Sequence, residues 1–200
     1  MRIVIPVKPF AEAKRRLASA MDATARARLA HDMFRHVFAA AVEFAGPRSL
    51  MIVSRSAEIL QFAIANGATG LPEVSEPDLN AALAQSAAHA RAHGVGRLIV
   101  VASDLPLLHA QDLAILAEYG CAIAPDRHGR GTNALSWPLT RGPGFHFGEN
   151  SFVRHCAAAR RCGLEPHTVV LPGLGHDIDI PDDLIDRLRV PETVCARKTR

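Results

Sequence analysis

A three-layer α/β fold, with a mainly parallel sheet covered on both faces, is predicted by three observations. Short strand-like runs alternate with helical patterns along the chain, the run at residues 98–102 is apolar without alternation, and Gly or Pro punctuates the junctions. Residues 2–7 form the first strand, a β-branched run closed by Pro6 and Pro9. Asp22 then caps a helix whose apolar positions Leu29, Met33, Val37, Ala40 and Phe44 recur at helical spacing until Gly46-Pro47 stops it. A second strand covers 49–54, and a second helix covers 56–66 and ends at Gly67. Asn80 reads as the cap of a third, Ala-rich helix that closes before Gly94. Next come the strand ending at Asp104, a helix through Leu113 and Leu116, and strands at 121–124, 134–137 and 167–171. A helix from Ser151 to about Arg161 separates the last two.

Two hundred residues, 48% of them hydrophobic and 22% charged, fit one domain over 1–190, with 191–200 expected as a loose tail. The net charge of +3 is spread without a basic stripe, which argues against nucleic acid and leaves anionic small molecules as natural ligands. Cys121, Cys156, Cys162 and Cys195 show no C-x-x-C spacing, so neither zinc nor a disulfide framework is indicated and a reducing cytoplasm fits. The first ten residues carry Pro and Lys inside a short apolar run, and no stretch approaches eighteen apolar residues. A soluble protein without membrane contact is therefore expected.

In parallel sheets, ligands bind outside the carboxyl ends of the strands. Lys8 and Lys14 follow the first strand, and Lys198 is the only other lysine in the chain. Two compact point charges at that end suit phosphate, although the same residues also read as a solvated basic turn. Asp104 ends a buried strand in Ser103-Asp104-Leu105-Pro106, either as a ligand or as an Asx-type cap. In Asp177-Ile178-Asp179 an extended backbone would point both carboxylates to one face, where they repel unless a cation lies between them. Asp182 and Asp183, after Pro181, fit the first turn of a helix instead. With hard carboxylate oxygens and no Cys or His cluster, Mg²⁺ is expected over Zn²⁺. Residues 125–133 read as a mobile loop whose backbone N–H groups, Thr132 and two arginines face an anion. Gly148 and Ser151 stand at a helix N-terminus suited to negative charge, where Ser151 also reads as a plain N-cap.

Taken in order, these pieces have a family resemblance. Pro6-Val7-Lys8 with Ala13-Lys14-x-Arg16-Leu17, Ser103-Asp104-Leu105-Pro106-Leu107-Leu108, Pro125-Asp126-Arg127-x-Gly129-x-Gly131-Thr132-Asn133, Phe147-Gly148-x-x-Ser151-Phe152 and Asp177-Ile178-Asp179 resemble the phospholactate/phosphoenolpyruvate guanylyltransferases of deazaflavin coenzyme biosynthesis. The resemblance spans nearly the whole chain. It implies a Rossmann-like nucleotidyltransferase fold and transfer of GMP from GTP to a phosphorylated three-carbon acid, phosphoenolpyruvate or 2-phospho-L-lactate, with release of pyrophosphate. It implies Mg²⁺ on Asp104, Asp177 and Asp179, the acid on Thr132, Gly148 and Ser151, and catalytic contacts from Lys8, Lys14 and Arg16 to the GTP phosphates. Asn80, in a Leu-Asn-x-x-Leu element, is implied as a ribose or base contact. Arg15, Glu149-Asn150 and Ile180 depart from the residues usual in relatives. A homodimer is among the expected states. Rival readings are 3-phosphoglycerate as acceptor, a nucleotidyltransferase for a molybdopterin or sugar phosphate, a D-x-D glycosyltransferase, and a nucleotide-binding regulatory module without turnover. The second of these would open with a Gly-rich loop after the first strand, which the chain lacks.

Overall fold

The computed structural model describes residues 1–74 and 78–187. The expected tail, with Cys195 and Lys198, lies outside them. Along the chain run β1 (Arg2–Pro6), α1 (Ala23–Ala45), β2 (Leu50–Ser54), α2 (Ala57–Ala65), β3 (Thr69–Pro72), α3 (Leu79–Ala92), β4 (Arg97–Val101), α4 (Ala110–Glu118) and β5 (Ala122–Pro125). They are followed by β6 (Thr132–Pro138), α5 (Ser151–Arg161), β7 (His167–Thr168), α6 (Pro172–Gly175) and α7 (Pro181–Arg187). The predicted cap of α1 holds, and Ser56, expected as the first residue of the second helix, is the N-cap of α2. The Asp22 carboxylate accepts from Ala25 N at 2.8 Å, and Ser56 Oγ accepts from Ile59 N. Gly46, at φ 74°, ends α1 in a conformation that L side chains rarely adopt.

The sheet order is β3-β2-β1-β4-β6-β5-β7. All pairings are parallel except those of β6, which runs antiparallel to both β4 and β5. Alternation along the strands feeds two cores. Ile3, Ile5, Ile52, Ile99 and Val101 pack against α1, α2 and α4, while Val4, Met51, Val53, Leu98, Val100 and Trp137 pack against α3 and α5. Three layers result, as the strand and helix pattern predicts. A third, smaller cluster joins Leu17, Met33 and Ile178. It seats the turn carrying Lys14 and Arg16 against the segment carrying Asp177 and Asp179.

Several expectations need correction. Asp78, not Asn80, caps α3, its carboxylate accepting from Asn80 N at 2.9 Å. Asn150, not Ser151, is the N-cap of α5. β7 stops at Thr168 because the chain turns at Leu171 into the Pro172–Gly175 helix. The strand pattern does not predict β3, since Thr69-Gly70-Leu71-Pro72 reads as turn chemistry. Its edge position tolerates both breakers: Pro72 closes the strand, and the missing Cβ of Gly70 would lie 3.1 Å from the Leu60 carbonyl.

Candidate functional site

The topological switch point falls between β1 and β4, which are neighbours in the sheet and are flanked on opposite sides by β2 and β6. Lys8 lies just beyond the carboxyl end of β1 and Asp104 beyond that of β4. Because β6 is antiparallel, its first residues, Thr132 and Asn133, reach the same end, where Ala102 N donates to Asn133 O at 2.8 Å. Ile178 is buried, and the carboxylates on either side of it reach Lys14 and Asn133. The alternation expected for Asp177-Ile178-Asp179 is thus present.

Lys14 is the centre of this cluster. Its backbone adopts a left-handed φ of 54°, and its nearly buried ammonium donates to Asp104 Oδ2 and, at 2.9 Å, to Asp179 Oδ1. Burial opposes the Lys14 charge, but Asp104 and Asp179 outweigh it and hold the pKa above the ordinary lysine value. Burial likewise opposes the Asp179 carboxylate, and Lys14, Arg16 and Lys8 together pull its pKa below the usual range. Arg16 Nη1 is 3.9 Å from Asp179 Oδ2 and largely exposed. Asp177 behaves in the opposite way. Burial raises its pKa, Asp104 and Asp179 repel it further, and the Asn133 amide, 3.1 Å away, offsets only part of this.

Two of the three carboxylates therefore share the Lys14 ammonium, and the third, Asp177, carries negative charge that no lysine offsets. That imbalance, with hard oxygen donors, fits a divalent cation such as Mg²⁺. Among the described residues, no three His, Cys, Asp or Glu side chains already stand together as a metal cage. Lys14 bridges two of the three instead.

Thr132 and Ser151 are buried side by side, their hydroxyl oxygens 3.2 Å apart. Gly148, at φ 120°, forms the turn before α5. The neighbouring hairpin loop is not the backbone cradle expected from its glycines. Asp126 takes the N–H groups of His128, Arg130 and Gly131 at 3.1, 2.8 and 2.8 Å, and Arg127 N donates to Gly175 O. Ser151 N and Phe152 N likewise donate to Gly148 O and Arg130 O. The hairpin loop's amides are thus taken up, and the wall beside it offers the Thr132 and Ser151 hydroxyls next to the Gly148 turn. Asn150 is left-handed at φ 53°, a region that Asn tolerates better than most side chains.

Asn80 turns to the same wall. Its Oδ1 accepts from Phe147 N at 2.7 Å and its Nδ2 donates to Phe147 O at 3.2 Å, so its amide clamps the loop before Gly148. Sequence reasoning gives no role to Asn133, His155 or the partner of Arg127. The available signals are Asn133 beside Thr132 on the opposite strand face and His155 one helical turn after Ser151. Asp183 does cap α7, accepting from Ile180 N at 2.8 Å, but it also takes Asp179 N at 2.6 Å and pairs with Arg127.

A family model described as "Guanylyl transferase CofC like" matches residues 1–190. The chain belongs to that family. It is accordingly a nucleotidyltransferase of the guanylyl-transferring kind. It is 42% identical over 196 residues to the phosphoenolpyruvate guanylyltransferase of Roseiflexus castenholzii, covering 98% of this chain and 91% of that one. Among solved structures, a protein of Desulfovibrio desulfuricans G20, named as a candidate nucleotide-diphospho-sugar transferase, superposes with a TM-score of 0.78 at 19% identity. The match covers 98% of this chain and 90% of that one. Glucosyl-3-phosphoglycerate synthase from Mycobacterium tuberculosis, solved with Mg²⁺ and UDP, gives 0.58 at 14% identity over 96% and 80% of the two chains. These likenesses establish the α/β nucleotidyltransferase-like fold.

Proposed function

We propose that this guanylyltransferase moves GMP from GTP to phosphoenolpyruvate, with release of pyrophosphate, as a cytoplasmic step in making a deazaflavin coenzyme. The observation that carries the reading is the meeting of Asp104 and Asp179 on Lys14, with Asp177 held next to them by Asn133, beside the Thr132–Ser151 wall, at the sheet's switch point. The Roseiflexus relative's name supplies the acceptor. Among the described residues no helix is long and apolar enough to cross a membrane.

In this reading Lys8, Lys14 and Arg16 hold the triphosphate, and Thr132, Gly148 and Ser151 hold the acid. Asp104, Asp177 and Asp179 would bind Mg²⁺, which, when present, neutralises phosphate charge. The acceptor is a phosphate monoester with a second pKa of about 6, so its oxygen is already ionised and needs no strong general base. That oxygen attacks the α-phosphorus of GTP, a phosphoanhydride forms, and the bond to the β-phosphate breaks. The protein's share is alignment of the two anions and neutralisation of charge on the departing pyrophosphate by its lysines and Arg16. Asn80 serves this site by fixing the Phe147–Gly148 loop, and its remaining amide hydrogen and lone pair suit a ribose or base contact. Offering phosphoenolpyruvate, 2-phospho-L-lactate and 3-phosphoglycerate with GTP or ATP and Mg²⁺, and following products by mass, tests the proposal. A guanylylated phosphoenolpyruvate is expected. Product only from another acid, or only with ATP, would replace the reading.

A further inference from the structure

We infer that His155 is a positioning residue for the acid subsite: with its proton on Nδ1 it donates to Thr132 Oγ1, leaving the Thr132–Ser151 pair one hydroxyl hydrogen to offer an anion. The inference rests on the reading that Thr132 and Ser151 meet the phosphorylated acid. It is decided on the far side of the ring. The backbone N–H of His146 donates to His155 Nε2 at 2.9 Å, and an amide N–H can only donate, so Nε2 is the bare nitrogen. In the neutral ring the proton then sits on Nδ1, which lies 3.0 Å from Thr132 Oγ1.

Counting hydrogens gives the consequence. Two hydroxyls carry two hydrogens, and the 3.2 Å contact between Ser151 Oγ and Thr132 Oγ1 uses one of them. With Nδ1 donating, the second is available to a ligand. With Nδ1 accepting, the ring would take it, and the pair would show only lone pairs to a phosphate or carboxylate. Water does not substitute on the closed side, because His155 is 0%, Ser151 2% and Thr132 7% exposed. Phe147 and Trp137 meet the ring edge-on, with centroids 4.8 and 6.0 Å away, and fix its plane. Burial, reinforced by His146 and Arg154, outweighs the opposing pull of the Ser151 backbone, which also faces a ring N–H, and keeps the ring neutral near pH 7.

The tautomer can be read on the wild-type protein by ¹⁵N NMR of the imidazole. Protonated Nδ1 is expected, and a protonated Nε2 would overturn the inference. Kinetics with phosphoenolpyruvate, GTP and Mg²⁺ give a second test. His155→Gln places an acceptor near the Nε2 position but lacks the Nδ1 donor. It should raise KM for phosphoenolpyruvate about tenfold to a hundredfold while KM for GTP stays within about twofold. His155→Asn, whose amide nitrogen falls near Nδ1, should recover most of that loss. In a Thr132→Val background, His155→Gln should add nothing, because its effect runs through the hydroxyl. Additive effects, or an Asn variant no better than Gln, would make His155 a packing residue only. Thermal melts show which variants fold, and if none does the wild-type tautomer decides. Should Thr132→Val alone leave KM for phosphoenolpyruvate unchanged, the acid-site reading fails, whereas a protonated Nε2 beside an intact Thr132 effect sinks only the role of His155.

Discussion

At Asp177, burial and the charges of Asp104 and Asp179 oppose the carboxylate, while the Asn133 amide and the local backbone favour it. Asp177→Asn keeps an oxygen for Asn133 to bond and removes the repulsion. The variant should melt at the same temperature as wild type or a few degrees higher, about 1 kcal/mol or less in stability. Pyrophosphate release from GTP plus phosphoenolpyruvate should nonetheless fall on the order of a hundredfold or more, the scale of losing one preorganised electrostatic group. Wild-type turnover in that variant would remove Asp177 from the site. The pair Asp177 and Asp179 is legible in the sequence because a period of two around an apolar residue leaves like charges with no structural task. Asn133 is not, since an Asn at a strand end is common and its partner lies forty-four positions away. The left-handed Lys14 is legible as a charge but not as a bridge between carboxylates, because nothing local shows which residues will face it.

Strand and helix alternation reveals the layers but not the direction of β6. A six-residue connection after β5 is too short for a crossover and forces an antiparallel return. That reversal is what brings Thr132 and Asn133 to the end of the sheet where Asp104 lies. The loop's glycines suggest an anion nest because Gly marks freedom in the backbone, while the Asp126 side chain that consumes its N–H groups follows directly on the strand's last residue and reads as an ordinary turn aspartate. At the start of α7 a single buried carboxylate joins two elements, since Asp183 accepts from Asp179 N and Ile180 N and pairs with Arg127 of the hairpin loop. Asp183→Ala strips an acceptor from both backbone groups and from a guanidinium at once. It should cost about 3 kcal/mol or more of stability, whereas Asp182→Ala, on the exposed side of the same turn, should change it by about 0.5 kcal/mol or less. Equal melting temperatures for the two variants would show that the segment bearing Asp177 and Asp179 is held by Ile178 packing alone.

The whole molecule answers pH through groups that the fold displaces in opposite senses. Asp179 is held below its ordinary value and Lys14 above, so their contributions to stability persist between the acid and alkaline limits and fade only toward either extreme. Within the range where histidines titrate, His155 dominates, because burial, with His146 and Arg154, lowers its pKa from 6.5 to about 4. The unfolded chain then binds a proton between these values that the folded protein refuses, so the His155 contribution is complete above pH 6.5 and declines as pH falls toward 4. Each tenfold change in proton affinity is worth about 1.4 kcal/mol, which makes the loss across that interval on the order of 3 kcal/mol. His89 moves in the same direction, but it is only partly buried and adds little. Glu73 and Asp112, raised by burial, work in the opposite sense. Comparing wild type with His155→Gln at each pH cancels these other groups. The destabilisation caused by that substitution, measured by urea unfolding, should be largest at about pH 7.5 and shrink by about 3 kcal/mol by about pH 4. A difference that stays constant across that range would mean that His155 accepts its proton in the folded state as readily as in the unfolded one, which the bond from His146 N to a bare Nε2 would then fail to explain.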